Sequence, residues 1–251
     1  MSLLRAQSLK KHFGDTRAVD GVDFVVNEGE LLSLVGTNGA GKTTLVNLVT
    51  AYLQPDDGRI FLGEHDITFL SVAELIRTGI ARSFQIVNLF DDLTVLDNVA
   101  LAIFSRERKT RNLFSLAERD AAVSKEAHEV LRQFGVDDKA QALARDVAQG
   151  ERKLLDVAIA FALRPRLLFL DEPTSGVSTR EKAQIMDTIA SVVRAEGITA
   201  VIIEHDMDVV FKYSERIVVM HEGRFLADGP AEAIRQNQEV ATYLLGAPPA
   251  G

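Results

Sequence analysis

The amino-acid sequence predicts an α/β fold: a mostly parallel sheet with helices on both faces, an antiparallel β-layer, and an inserted α-helical subdomain. Three observations predict it. Short apolar runs separated by turn residues fill the first 35 residues. Apolar residues recur with helical spacing from about Leu93 to Leu163. Beyond Pro165, strand patterns alternate with helical patterns, an order typical of parallel sheets.

The N-terminal region predicts the antiparallel β-layer. Its apolar runs are Leu3 to Leu9, Val19 to Val26 and Leu31 to Val35, and glycine-containing turn signals separate them. Further on, Asp57-Gly58 predicts a tight turn before the apolar run Ile60 to Leu62. We therefore expect this later run to add another strand to the layer.

The third apolar run leads directly into the stretch LVGTNGAGKTTL, and helical spacing follows it. Gly36, four further residues and then Gly41-Lys42-Thr43 match the pattern of a phosphate-binding loop, whose backbone N–H groups face phosphate oxygens. Lys42 would reach the β- and γ-phosphates, the Thr43 hydroxyl would bind Mg²⁺, and Thr44 would bind another phosphate. A glycine turn that merely joins a strand to a helix would not need the whole pattern. The predicted nucleotide contacts here are Gly36, Thr37, Asn38, Gly39, Ala40, Gly41, Lys42, Thr43 and Thr44.

The middle of the chain predicts the helical insert. Thr94, with Asp97 three residues later, predicts a capped helix start, and Pro165 disfavours helix at Arg164. We expect one domain in which residues 1–87 and 165–251 form a P-loop nucleotide-binding core with the β-layer. Residues 88–164 would form the helical subdomain.

The last third of the chain predicts the rest of the parallel sheet. In order, its predicted elements are a strand at Leu167 to Leu170, a helix from about Arg180 to Ala195, a strand in ITAVIIEHD, a short helix from Met207 to Tyr213, and a hairpin turning at Glu222-Gly223. Ligands of such sheets bind at the carboxyl ends of the strands.

Polar residues at those strand ends form a candidate catalytic set. Asp171 and Glu172 directly follow a buried strand, where two carboxylates need a nearby positive charge, and Mg²⁺ would supply it. Asp171 would hold the metal, and Glu172 would orient or deprotonate the water that attacks the γ-phosphate. An acidic helix cap before Pro173 would explain only one of the two carboxylates.

Two further residues complete this set. His205 follows the next predicted strand and is placed to hydrogen-bond the γ-phosphate, although a lone histidine there is usually structural. Gln85 ends a strand before the insert and would contact both Mg²⁺ and the attacking water. Neither residue by itself would indicate a catalytic site.

Composition excludes several classes of protein. With 251 residues of which 47% are hydrophobic, the chain can bury a large core, and its net charge of −8 argues against a nucleic-acid binder. The absence of cysteine excludes disulfides, and no apolar run approaches the length of a membrane helix, so we expect a cytoplasmic protein. The basic run Arg106 to Arg111 favours a solvated helix end over a docking patch.

Together these motifs resemble the ATP-binding subunits of ABC transporters, and within them the group for uptake of branched-chain or hydrophobic amino acids. The resemblance covers essentially the whole chain, and the subgroup is indicated by ARSFQIVNLFDDLTVLDNVAL and VIIEHDMDVVF. It identifies GTNGAGKTT as the Walker A motif, Gln85 as the Q-loop, LLFLDE as the Walker B motif with Glu172 as catalytic carboxylate, SGVS as the D-loop and His205 as the switch histidine. Phe13 would stack on adenine, the alternative being a phenylalanine buried in the β-layer.

The resemblance also implies partners. ATP and Mg²⁺ would bind between two ATPase subunits, like or unlike, in a head-to-tail dimer. This dimer would drive a transmembrane permease at the inner face of the cell membrane and serve a solute-binding protein indirectly. The insert would present a surface near Gln85 to a cytoplasmic helix of the permease. The transported solute is not encoded in this chain.

The family signature departs from its usual form. The chain reads Val147-Ala148-Gln149-Gly150-Glu151, so the usual serine hydroxyl is missing at Ala148. In the family's dimer Ala148, Gly150 and Glu151 would face the nucleotide of the opposite subunit, and Gly150 can still offer its N–H. Ser178 also replaces the aspartate common in D-loops.

Two alternatives stay open at this point. A nucleotide-gated regulatory module, with hydrolysis impaired by Ala148, is opposed by the presence of Glu172, Gln85 and His205. A phosphotransferase would have no use for the signature-like segment or the switch histidine. DNA-repair relatives need long coiled coils, for which this chain is too short.

Overall fold

The computed structural model describes residues 1–83, 89–108 and 120–244. These residues form two sheets and the helices around them, so the predicted α/β class is confirmed. Within the described residues, the larger sheet has six strands: β3 (Leu31–Gly36), β6 (Ile80–Ser83), β7 (Leu167–Asp171), β8 (Thr199–Ile203), β9 (Arg216–His221) and β10 (Arg224–Pro230). Their spatial order is β10-β9-β3-β8-β7-β6, with β10 antiparallel to β9 and the other pairs parallel.

The predicted antiparallel layer is the second sheet, but the prediction was wrong for the third apolar run, Leu31 to Val35, which forms β3 and pairs in parallel with β8 and β9 of the larger sheet. It contains β1 (Ser2–Phe13), β2 (Thr16–Asn27), β4 (Asp57–Leu62) and β5 (His65–Asp66), in the order β2-β1-β4-β5. The strand expected after Asp57-Gly58 is β4, which pairs with β1. The two-residue strand β5 was not predicted, because so short a segment carries no periodicity.

Helices cover both faces of the larger sheet. They are α1 (Lys42–Val49), α2 (Val72–Thr78), α3 (Val95–Arg106), α4 (Ala121–Gln133), α5 (Gln149–Ala162), α6 (Thr179–Ala195), α7 (Met207–Tyr213), α8 (Ala231–Gln236) and α9 (Gln238–Leu244). No helix in the described part of the chain is long and apolar enough to span a membrane.

Local sequence accounts for the ends of the insert. The Thr94 hydroxyl accepts a hydrogen bond from the Asp97 N–H at 3.0 Å, which is the predicted cap of α3. At the other end, α5 stops at Ala162, so Arg164 lies outside the helix, as the restriction before Pro165 predicts. The left-handed φ of 53° at Arg164 is not part of that prediction. Residues 109–119, which include the last part of the basic run, lie outside the described residues.

The central strands divide the core into two layers. Along β7, Leu168 and Leu170 belong to the apolar cluster shared with the insert helices and α6, whereas Leu167 and Phe169 belong to the cluster shared with α1 and the β-layer. This alternation is the period of a strand buried on both faces. The sheet is therefore packed against apolar side chains on both faces, and this packing fixes the positions of the residues at the carboxyl ends of its strands.

Candidate nucleotide-binding site

A cavity of about 540 Å³ lies at the carboxyl edge of the parallel sheet. Strands β3, β8 and β7 are neighbours, so the loop after β3 meets the residues that end β7 and follow β8. The cavity brings together the predicted phosphate loop and both predicted carboxylates. Its lining residues are Thr16, Arg17, Ala18, Asn38, Gly39, Ala40, Gly41, Lys42, Thr43, Thr44, Asp171, Glu172, Ile203 and Glu222.

The phosphate loop has the backbone that its glycines require. Gly41 has a φ of 103°, and a Cβ atom there would lie 2.1 Å from the backbone oxygen of Ala18. Only glycine fits this position without strain. Helix α1 begins at the next residue and leaves its first N–H groups without helical partners, as an anion site at a helix N-terminus requires.

Lys42 is held by the loop itself. Its Nζ donates to the backbone oxygens of Gly36 at 2.8 Å and Thr37 at 3.1 Å. Burial lowers the pKa of Lys42, while the charges of Glu172 and Asp171 act to raise it. The ammonium group is therefore desolvated and aimed along the loop, where phosphate oxygens can replace the carbonyl oxygens.

Asp171 has a protein cation beside it. Its Oδ2 lies 2.6 Å from the guanidinium of Arg82, and both side chains are buried, with exposed fractions of 10% and 7%. Arg82 also donates to Asn47 Oδ1 at 2.6 Å and to Thr50 Oγ1 at 3.3 Å, both on or next to α1. The positive charge that the buried carboxylates need, which the sequence assigned to Mg²⁺, thus comes in part from Arg82.

Glu172 has an unusual backbone. Its φ is 46°, a left-handed conformation that costs a non-glycine residue about 1–2 kcal/mol. Its N–H donates to the Ile203 oxygen at 2.9 Å, and its own carbonyl accepts from the Ser175 N–H at 3.1 Å and from Lys153 Nζ at 3.4 Å. These bonds hold the strained peptide, which is the pattern expected where strain serves function.

Glu172 is not a helix cap. The following helix, α6, begins at Thr179, and its cap is Ser178, whose hydroxyl accepts from the Glu181 N–H while Glu181 accepts from the Ser178 N–H at 3.0 Å. Ser178, which replaces the aspartate common in D-loops, therefore caps a helix in this chain.

His205 lies beside Glu172. Its Nδ1 is 3.7 Å from Glu172 Oε1, and 59% of its side chain is exposed. Its backbone N–H donates to Glu204 Oε2 at 3.3 Å, and the buried Glu204 also accepts from the Thr174 hydroxyl at 2.7 Å. Glu204 thus connects Thr174, in the loop after Glu172, with the backbone of His205, and this keeps the two candidate catalytic side chains close to each other.

The residues present fit Mg²⁺ bound with a nucleotide. Thr43 and Asp171 both line the cavity and offer the hard oxygen donors that Mg²⁺ takes. Among the described residues no group of three or more histidine, cysteine, aspartate or glutamate side chains could hold a metal by itself. Sparse protein ligands are usual for Mg²⁺ that arrives with phosphates. Gln85, the other predicted metal contact, lies outside the described residues.

Phe13 is placed on the surface near the cavity. Its side chain is 50% exposed, so the alternative of a phenylalanine buried in the β-layer is wrong. Phe13 pairs with Thr16 across the β1–β2 hairpin, and Thr16, Arg17 and Ala18 line the cavity. Stacking on adenine stays a prediction.

The signature segment starts α5 and lies apart from the cavity lining of its own chain, as far as the described residues define it. Ala148 is the N-cap, and its N–H donates to Glu151 Oε2 at 2.9 Å, but Ala148 has no hydroxyl to return the bond. At Gly150 a Cβ atom would meet its nearest neighbours only at 3.7 Å, so packing within the chain does not require glycine there.

Sequence reasoning missed Arg82, Lys153 and Glu204. Arg82 in the strand IARS and Glu204 at the end of VIIE are charged residues beside apolar runs, and buried charges need partners, so for these two a signal was available in the sequence. Lys153 follows two charged residues in the run ERK, so its burial could not be read from the sequence. What it could not give is which partner each one has.

Comparisons with known proteins agree with this geometry. Residues 19–175 match the family model described as ABC transporter. The chain is 36% identical to the high-affinity branched-chain amino acid transport ATP-binding protein BraF of Pseudomonas aeruginosa, covering 97% of this chain and 98% of that protein. It is 34% identical to the corresponding protein LivG of Escherichia coli K12, with the same two coverages.

A solved structure is similar over the same length. The ADP conformation of MJ1267, an ATP-binding cassette of an ABC transporter, aligns with a TM-score of 0.86 at 30% identity, covering 98% of this chain and 100% of that one. The family match spans more than half of the chain, and the relatives match it from end to end. The chain therefore belongs to the ABC transporter family and is one of its ATP-binding cassette ATPases.

Proposed function

We propose that this chain is the ATP-binding and hydrolysing subunit of an importer that takes up branched-chain or related amino acids through a separate permease. The observation that carries the proposal is the convergence of Lys42, Asp171 and Glu172 on one cavity with His205 beside it. The names of the relatives supply the substrate class. The intact contact between Glu172 and His205 supports hydrolysis over a purely regulatory use of ATP.

Each residue of the site has a separate role in ATP hydrolysis. Lys42 exchanges its loop carbonyl partners for β- and γ-phosphate oxygens and stabilises their charge. Glu172 accepts a proton from the attacking water, and His205 hydrogen-bonds the γ-phosphate. Thr43 and Asp171, with Gln85, would hold Mg²⁺, which when bound neutralises charge on the phosphates. Phe13 would stack on the adenine.

The signature segment supports a dimer. Gly150 is not needed by the packing of its own chain, so its missing side chain leaves space for the close approach of another molecule. We assign that space to ATP bound by a second ATPase subunit placed head to tail, with Ala148, Gly150 and Glu151 facing it. The dimer then has two composite sites.

A groove of about 210 Å³ supports docking of the permease. Its walls come from the end of α1, from α2 and from α5, and its apolar residues include Leu75, Ile76 and Ile159. Tyr52 lines it with 48% of its surface exposed. Strand β6, which precedes Gln85, forms its floor, so a cytoplasmic helix of a permease would sit next to the predicted Q-loop. The chain would then lie at the inner face of the membrane, and a solute-binding protein would act only through the permease.

The test is transport with a blocked carboxylate. We expect Glu172→Gln to keep MgATP binding but to lower ATP turnover by ~10²–10⁴, the size of a general-base effect. With the permease in proteoliposomes, labelled leucine uptake should fall in parallel. Unchanged turnover would place the general base elsewhere, and ATP turnover without uptake of any branched-chain amino acid would refute the substrate class.

A further inference from the structure

Lys153 is a buried lysine for which the proposed chemistry has no role. It lies in the second turn of α5, four residues after the first helical residue Gln149, and only 3% of its surface is exposed. Lysine is almost never so buried without partners, because its charge loses hydration. Burial lowers the pKa of Lys153, and the nearby carboxylates of Asp156, Glu172, Glu204 and Asp171 act to raise it.

The contacts of Lys153 reach the loop that carries the catalytic carboxylate. Nζ donates to Ser175 Oγ at 2.9 Å and to the backbone oxygen of Glu172 at 3.4 Å. That same oxygen accepts the Ser175 N–H, so Lys153 and Ser175 hold one strained peptide together. Lys153 does not line the cavity as the described residues define it, and these contacts with the loop connect it to the site.

We propose that Lys153 is a positioning residue that fixes the Glu172 peptide from the signature helix. This inference rests on the proposed function, because α5 presents its N-terminus to the ATP of the partner subunit. Lys153 then ties the catalytic carboxylate of one site to the helix that completes the other. A displacement of α5 would then be transmitted to the Glu172 peptide by the Lys153 side chain.

The first test needs no catalysis. In the nucleotide-free chain, Lys153→Met should raise amide hydrogen exchange of residues 172–176 by about 10-fold, because the loop loses a bond that resists opening. Lys125→Met is the matched control, since Lys125 is 79% exposed on α4 and should leave that exchange unchanged. Unchanged exchange in Lys153→Met would overturn the proposal even if the chain hydrolysed no ATP.

The second test separates positioning from binding. We expect Lys153→Met to lower kcat for MgATP by about 10- to 100-fold, the cost of a misplaced catalytic group, while the affinity for MgATP changes less than about twofold. Lys153→Arg keeps a cationic donor and should restore most of kcat. Ser175→Ala removes Oγ, the side-chain acceptor of the Lys153 ammonium, so its effect and that of Lys153→Met should be non-additive in the double variant.

The outcomes distinguish the two proposals. A wild-type chain that fails to hydrolyse MgATP would refute the proposed function. Normal wild-type hydrolysis with equal kcat in Lys153→Met, or with strictly additive effects of the two variants, would refute only the positioning role.

Discussion

Removing Arg82 should destabilise the protein far more than removing an arginine or lysine from a surface ion pair. Arg82→Met leaves Asp171, whose side chain is only 10% exposed, without the guanidinium that now lies 2.6 Å away. Breaking a buried pair by deleting one partner costs about 3–5 kcal/mol, because the remaining charge stays buried. That is a large part of a typical stability of about 5–15 kcal/mol.

The measurement is urea unfolding of the nucleotide-free chain, followed by circular dichroism. With a slope near 3 kcal/mol per molar, the midpoint should fall by about 1–1.7 M. Lys10→Met is the control, because Lys10 and Asp57 pair at 3.0 Å with exposed fractions of 40% and 66% and should contribute about 0–1 kcal/mol.

A second variant isolates the charge. Asp171→Asn added to Arg82→Met removes the unpaired carboxylate, so we expect the double variant to recover at least half of the lost stability. The reasoning is refuted if Arg82→Met lowers the free energy of unfolding no more than Lys10→Met does. It is also refuted if the double variant is less stable than Arg82→Met alone.

Three further predictions concern the phosphate loop and the signature. Lys42→Ala should weaken ATP binding and abolish hydrolysis without unfolding the chain; equal ATP affinity by calorimetry would contradict the phosphate-loop assignment. Gly41→Ala and Gly39→Ala both place a side chain at positive φ, at 103° and 81°, but only the first meets a backbone oxygen, that of Ala18 at 2.1 Å. Thermal unfolding should therefore show ~1–3 kcal/mol more destabilisation for Gly41→Ala, and equal losses would refute the clash. Ala148→Ser should raise the closed-state stability of the partner's nucleotide site roughly ten- to a hundredfold, since a hydrogen bond to a charged group contributes ~1.5–3 kcal/mol. Measuring turnover at one site while the catalytic glutamate of the other site is blocked tests this prediction. A gain at this chain's own site would contradict it. The same serine should cap α5 and add about 1 kcal/mol of stability, so unfolding must be measured separately.

The sequence predicted those parts of the site that follow from the order of strands and helices along the chain. Residues at the ends of β3 and β7 and after β8 could be placed together because neighbouring parallel strands share an edge. The left-handed φ of Glu172 and the pairings of Arg82 and Lys153 could not be predicted, because each depends on segments far apart in the chain. Gln85 and the domain division stay predictions.

The long helix α6 was predicted from its apolar spacing, whereas the short helices were predicted unevenly. The short helix α7 matched its predicted bounds, and α6 begins one residue earlier than expected. Helices α2, α8 and α9 were not predicted; each has only six or seven residues, so apolar spacing alone gives a weak signal, although α7 was predicted at the same length. For α2 a local signal existed: Ser71 and Glu74 form a complete capping box.

The phosphate loop is held by parts of the chain that follow it by more than 170 residues. The Gly223 N–H donates to the Ala40 oxygen at 3.0 Å, and the Asp20 N–H donates to the Gly223 oxygen at 2.9 Å. Strand β3 itself is flanked by β8 and β9. A nascent chain stalled before residue 216 would carry the entire glycine motif but lack the strand and hairpin that shape it. We therefore expect the loop to take its nucleotide-binding shape only once the chain through this hairpin is present, so a fragment that ends before residue 216 should bind ATP poorly.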